Sequence, residues 1–170
     1  AGQHDQGVGA GLFAAWRGEG GSGPAIELPD RAAILSWLDD ELTVGAQHRR
    51  PDLLFVHAAA LGRGGRALLL VAESGGGKST TSWAALHHGF ALLSDELAPV
   101  DPKSLQVHPH PRAVCLKARP PDPYVLPAGT METSGGYYVA THLLPTAPSL
   151  EALPLAALVF VSYRPDEAQP

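Results

Sequence analysis

The stretch "LLLVAESGGGKSTTSWAALHHGFALLSDE", residues 68–96, decides the fold. An apolar run of strand length leads into three glycines, a lysine and two hydroxyls, and a second apolar run ends on two acids. Residues 78–88 between the runs predict a helix that Gly89 ends. A strand, loop, helix and strand within about 30 residues indicate a crossover unit with parallel strands covered by helices.

The glycine loop of this stretch has the composition of a phosphate-binding site. Consecutive glycines let backbone N–H groups converge on phosphate oxygens that side chains would block. The following helix adds its positive N-terminal end, Lys78 brings a full charge to the outer phosphates, and the Ser79 hydroxyl can bind magnesium. The pattern G-x-x-x-x-G-K-[ST] is met except for Ala72 at its first position. The candidate nucleotide-binding residues are Ser74, Gly75, Gly76, Gly77, Lys78, Ser79 and Thr80.

Asp95 and Glu96 follow the second apolar run. Ligands of open α/β sheets lie outside the carboxyl ends of parallel strands, so if residues 90–94 lie beside residues 67–71 these acids emerge next to the glycine loop. Because side chains alternate along a strand, the two carboxylates should diverge, one toward a metal and one toward an incoming hydroxyl. The alternative is a solvated acidic turn.

The rest of the chain predicts a single α/β domain over residues 1–170, because 170 residues with 45% hydrophobic content bury one good core. Truncation at either end remains open. We expect a mobile glycine-rich start over residues 1–29 that contains a short strand, and a Pro- and Gly-rich loop over residues 118–150. The other predicted elements are a helix over residues 30–45, ended by Gly45, and buried strands at 53–61, 66–72, 112–117 and 155–163.

Composition excludes several classes of protein. A formal charge of −5 disfavours non-specific nucleic-acid binding. The single cysteine, Cys115, excludes an internal disulfide and a cysteine-rich zinc module, which fits a cytoplasmic protein. No apolar run approaches the roughly 20 residues that span a bilayer, so we expect no membrane association.

Residues 53–100 resemble the HPr kinase/phosphorylase family. The matching segments, in order, are "FVHAAAL", "AESGGGKST", "ALHHGF" and "LLSDE". The resemblance implies a P-loop-containing, phosphoenolpyruvate carboxykinase/HPr kinase-like mixed sheet with flanking helices. It implies that Lys78 holds the phosphates of ATP, that Ser79 binds Mg²⁺, and that Asp95 takes the proton from a substrate serine.

The same resemblance makes Glu96 a direct or indirect metal partner and places His57 near Asp95 and the transferred phosphate. Taken alone, His57 in an apolar strand is more typical of a hydrogen-bonded core histidine, and only the resemblance brings the catalytic alternative level with it. Arg112 and Lys117 flank a strand-like run, and each is either a phosphate-binding residue or a solvated surface charge.

The sequence thus predicts a kinase that transfers the γ-phosphoryl group of ATP to a hydroxyl, with Mg²⁺ as cofactor. The shorter HPr-kinase-related proteins, which this chain resembles, suggest a peptide or small-protein acceptor. A non-catalytic ATP-binding regulatory module and a small-molecule kinase, such as a free serine kinase, are the alternatives. A homo-oligomer is compatible with the sequence.

Overall fold

The computed structural model describes residues 12–14, 17–18, 21–22, 26–28, 31–133 and 135–163. The chain divides into two compact units, Ala1–Arg49 and Arg50–Pro170, whereas its length and composition led us to expect one domain. The described strands of the first unit pair within that unit, β1 with β4 and β2 with β3. The glycine loop and both acids lie in the second unit.

The described part of the first unit consists of short paired strands and one helix. These elements are β1 (Leu12–Ala14), β2 (Arg17–Gly18), β3 (Gly21–Ser22), β4 (Ile26–Leu28) and α1 (Arg31–Arg49). Strand β1 pairs with β4, and β2 pairs with β3. The predicted start over residues 1–29 is therefore partly paired strand, and its other residues lie outside the described ones, as do residues 15–16 of the predicted short strand.

Helix α1 runs past Gly45, which we expected to end it. The added turn, "AQHR", contains good helix formers, and they outweigh the cost of one glycine. The recurrence of Ile34, Leu38 and Leu42 every four residues predicts a buried apolar stripe on this helix, but Leu42 is 61% exposed.

The second unit contains a seven-stranded mixed sheet, a three-stranded sheet and one helix. Its elements are β5 (Leu54–Val56), β6 (Ala59–Arg63), β7 (Arg66–Val71), α2 (Lys78–His87), β8 (Ala91–Ser94), β9 (Ala98–Val100), β10 (Gln106–Val107), β11 (Val114–Leu116), β12 (Met131–Thr133), β13 (Gly136–Val139), a 3-10 turn (Thr141–Leu143) and β14 (Leu153–Phe160).

The large sheet has the strand order β5-β9-β10-β14-β7-β6-β8. We expected β8 beside β7, but β6 lies between them and is antiparallel to both. The tight turn at Gly64 and Gly65, where φ is 57° and 72°, returns β6 to β7 as a hairpin and fills that place. Strand β14 pairs with β7 in parallel. Strands β7, β8 and β14 therefore run in one direction, and their carboxyl ends lie at the same edge of the sheet.

The predicted strand over residues 53–61 is two strands. Strand β5 pairs with β9, whereas β6 pairs with β7 and β8, so the chain leaves one part of the sheet at His57 and enters another. His57 lies at this break and its side chain is 63% exposed. The interpretation of His57 as a core histidine is therefore wrong.

Strands β6, β7 and β8 of the large sheet contribute residues to a core on each face, which explains their continuous apolar runs. One face, α2 and the small sheet share a core of Ala59, Leu61, Leu70, Trp83, Leu86, Leu92, Val114, Leu116 and Val139. The other face has a core of Ala58, Ala60, Ala67, Leu69, Leu93, Ala98, Val100 and Val107. Because β9 and β10 share that second core with β6 and β8, the sheet curls upon itself. The second unit is thus mixed α/β with a curled mixed sheet.

Two predicted segments differ from the structure. Residues 118–150 are not one loop, since β12 and β13 pair with each other and β13 pairs with β11 as the small sheet. The glycines of "TSGGYY" favour a loop in the sequence, but Gly136 begins β13 and pairs with Thr133 of β12. Strand β14 confirms a strand near residues 155–163, yet it is not fully buried, because Leu158 and Phe160 are 53% and 78% exposed.

Candidate functional site

The glycine loop joins β7 to α2 as the sequence predicts. Gly75 and Gly77 have φ values of 82° and 92°, in the left-handed region that favours glycine. A Cβ on Gly76 would lie 3.0 Å from the carbonyl oxygen of Glu73, so this position is also confined. The Gly76 N–H donates to that oxygen at 2.9 Å, which closes the loop. Helix α2 has no side-chain cap, and its first N–H groups are free to receive an anion.

Lys78 is the first residue of α2, and it is buried. Its Nζ lies 3.8 Å from Asp95 Oδ1 and 3.4 Å from Glu96 Oε1. Neither Lys78 Nζ nor Asp95 Oδ1 has a hydrogen-bond partner. Buried polar groups are nearly always hydrogen-bonded, so two such orphans in one place indicate a site built to receive a further polar group.

Asp95 and Glu96 differ in exposure, but both carboxylates lie within 4 Å of Lys78 Nζ, so they do not diverge as strand alternation predicts. The reason is that β8 ends before both acids. Asp95 is 1% exposed, and its Oδ2 accepts a hydrogen bond from the Cys115 N–H at 3.4 Å. The Glu96 side chain is 40% exposed, and its Oε2 lies 3.7 Å from His57 Nε2. Glu96 has a φ of 70°, which costs energy for a residue with a side chain and is held only where the surroundings enforce it.

A cavity of about 740 Å³ lies in front of the loop. Its lining is His57, Glu73, Ser74, Gly75, Gly76, Gly77, Lys78, Ser79, Thr80, Thr81, Glu96, Lys117, Ala118, Arg119, Pro121, Val161, Ser162 and Tyr163. Of the two acids, Glu96 faces this cavity and Asp95 lies behind it. All the residues predicted to bind nucleotide line the cavity.

Of the two additional basic candidates, the structure brings only Lys117 to the cavity. Lys117 Nζ donates a hydrogen bond to Ser74 Oγ at 3.1 Å. Arg112 is half-buried near Cys115 and Tyr138, and burial lowers the pKa of Arg112 below its ordinary value. Arg112 does not belong to the described lining of the cavity.

The sequence did not reveal that Val161, Ser162 and Tyr163 line the cavity. They follow β14, whose parallel pairing with β7 brings its end to the glycine loop. The apolar run of β14 was visible, but nothing in the run shows which strand it pairs with. Ala118, Arg119 and Pro121 also line the cavity. The sequence predicts a loop there, but it does not show which part of the fold that loop contacts.

Magnesium with ATP fits this set of side chains. In the described part of the chain, no group of three or more His, Cys, Asp or Glu residues could hold a metal ion on its own. Mg²⁺ usually takes one or two protein ligands together with phosphate oxygens and water, and Ser79 and Glu96 could supply such ligands.

None of the described helices has the length and apolarity that crossing a bilayer requires.

Burial raises the pKa of Asp95 above its ordinary value of 3.8, although the charge of Lys78 acts in the opposite direction. The folded chain therefore holds the proton more tightly than the unfolded chain. The stabilisation by this proton is complete below about pH 3.8 and is lost as the pH rises toward the folded pKa.

Asp95→Asn removes this titration. We expect the free energy of unfolding of Asp95→Asn, minus that of the unmodified chain, to increase as the pH rises from about 3.8. Urea unfolding of both chains across a pH series measures this difference. A difference that is constant with pH, or that falls, would show that the pKa of Asp95 is not raised.

Comparison of the chain with protein-family models gives no match. Comparison with curated proteins gives no significant match either.

Proposed function

We propose that the chain is a magnesium-dependent kinase with a P-loop, related to HPr kinase, that transfers the γ-phosphoryl group of ATP to a hydroxyl. The observation that carries the proposal is the placement of Lys78, at the start of a helix behind a glycine loop and within 4 Å of both Asp95 and Glu96. This places a phosphate-binding cation beside two carboxylates, of which Glu96 faces the cavity and could take a proton.

The chain's contribution to the reaction is positioning and charge. Loop N–H groups and Lys78 would hold the phosphates, and the Ser79 hydroxyl would hold Mg²⁺, which offsets negative charge on the phosphates. The acceptor oxygen bonds to the γ-phosphorus, the bond from that phosphorus to the β–γ bridging oxygen breaks, and ADP leaves. The acceptor's proton passes to a carboxylate of the acid pair.

The acceptor is proposed to be a serine hydroxyl of a peptide or small protein. The cavity opens beside the exposed side chains of His57 and Glu96, and a protein hydroxyl would approach there. This assignment also depends on the resemblance of residues 53–100 to HPr kinase. That resemblance rests on the sequence alone.

Incubation of the chain with MgATP labelled at the γ-phosphorus tests the proposal. The acceptors are HPr, peptides encoded by neighbouring genes, and free serine. We expect label on a protein or peptide acceptor. Label on serine alone would identify a small-molecule kinase, and saturable MgATP binding without label on any acceptor would favour a regulatory module.

A further inference from the structure

Strand β11 and the residue after it, Lys117, contact both Asp95 and the glycine loop. Val114 and Leu116 point into the core, so Cys115 between them faces the opposite side of the strand. The Cys115 N–H donates to Asp95, and Lys117 donates to Ser74 at the start of the glycine loop. This part of the small sheet thus connects Asp95 with the glycine loop.

The neighbouring strand fixes the position of Lys117. Leu116 pairs with Tyr137 of β13, and the residue before that tyrosine, Gly136, has a φ of 130°. A Cβ at Gly136 would lie 3.1 Å from Lys117 Cα and would also meet the backbone of Leu116. Only glycine lets β13 approach this closely, so the backbone at Lys117 is held in place.

Of the two lysines that line the cavity, Lys117 has fewer carboxylates near its ammonium group. Lys78 already lies near two carboxylates, whereas the described ion pairs give Lys117 none. Its described hydrogen bond is to the neutral hydroxyl of Ser74, at the cavity wall. A phosphate oxygen would replace that hydroxyl with a charged partner, and charge-assisted hydrogen bonds are about twice as strong as neutral ones.

We propose that Lys117 binds the terminal phosphate of the nucleotide and makes the site select a triphosphate over a diphosphate. This inference depends on the proposed function. The backbone N–H groups at the start of α2 would hold the inner phosphates, and the long Lys78 side chain would reach from there to the outer ones. Ser74 lies nearer the other end of the loop. A cation at Ser74 therefore faces the end of the phosphate chain that ADP lacks.

Lys117→Met tests the inference through binding, independently of any acceptor. Calorimetry with MgATP and MgADP should show affinity for MgATP lowered about tenfold and affinity for MgADP changed less than about twofold. Lys117→Arg should restore most of the preference. Lys103→Met is the matched control, since Lys103 lies in the turn between β9 and β10 and not at the cavity.

Two results would overturn the inference alone: unchanged MgATP affinity in Lys117→Met, or an equal loss for both nucleotides. An unmodified chain that binds neither nucleotide would overturn the proposed function and, with it, the inference.

Gly136→Ala displaces Lys117 without altering its chemistry. We expect this variant to lose part of the preference for MgATP. Retained preference, in a chain that circular dichroism shows to be folded, would contradict the role of β13 in positioning Lys117.

Discussion

Lys78→Met is expected to lower the affinity for MgATP at least about 100-fold and to abolish phosphoryl transfer. The loop N–H groups would remain, but the buried charge that faces the phosphates would be lost. Equilibrium binding of a fluorescent ATP analogue measures the first effect, and transfer of labelled phosphate measures the second.

Two controls separate this effect from damage to the fold. Lys103→Met removes an equal charge far from the cavity and should change neither measurement. Thermal unfolding reports whether the Lys78 variant is folded, because its methionine leaves Asp95 and Glu96 facing each other without a cation. MgATP binding close to that of the unmodified chain would show that the glycine loop is a structural turn.

Glu96→Gln should slow transfer about 100-fold or more, while MgATP binds at least as tightly as to the unmodified chain. The sequence predicts Asp95 as the group that takes the proton from the acceptor. Asp95 is buried behind the cavity, however, whereas Glu96 lines it beside His57. The geometry therefore favours Glu96 for this step and leaves Asp95 to position Lys78 and β11.

Single-turnover transfer with pre-bound MgATP isolates the step that Glu96 would perform. Glu151→Gln is the matched control, since Glu151 is exposed and lies outside the described lining of the cavity, so its loss should leave the rate unchanged. If Asp95→Asn stops transfer and Glu96→Gln does not, the proton acceptor is Asp95, as the sequence predicts.

The local part of the site was predictable from the sequence. The glycine loop and the start of α2 at Lys78 follow from neighbours in the chain. Gly75 and Gly77 adopt positive φ angles that few other residues tolerate, so the sequence pattern carries this geometry directly.

The long-range part was not predictable in the same way. Apolar runs indicate strands, but they do not state partners, so the insertion of β6 between β7 and β8 and the pairing of β14 with β7 appear only in the structure. His57 illustrates the consequence. Within an apolar run it has the pattern of a core residue, yet it lies where the chain passes between distant strands and is exposed.

The burial of Lys78 beside two carboxylates means that nucleotide binding would change the charge balance around those carboxylates. Its ammonium is the counter-ion of both acids, and a bound phosphate would draw that ammonium away. Asp95 and Glu96 would then need another positive charge, from a proton or a metal ion, because two neighbouring carboxylates do not both ionise readily without one. Nucleotide binding and cation uptake are thus expected to be one linked equilibrium, in which each strengthens the other.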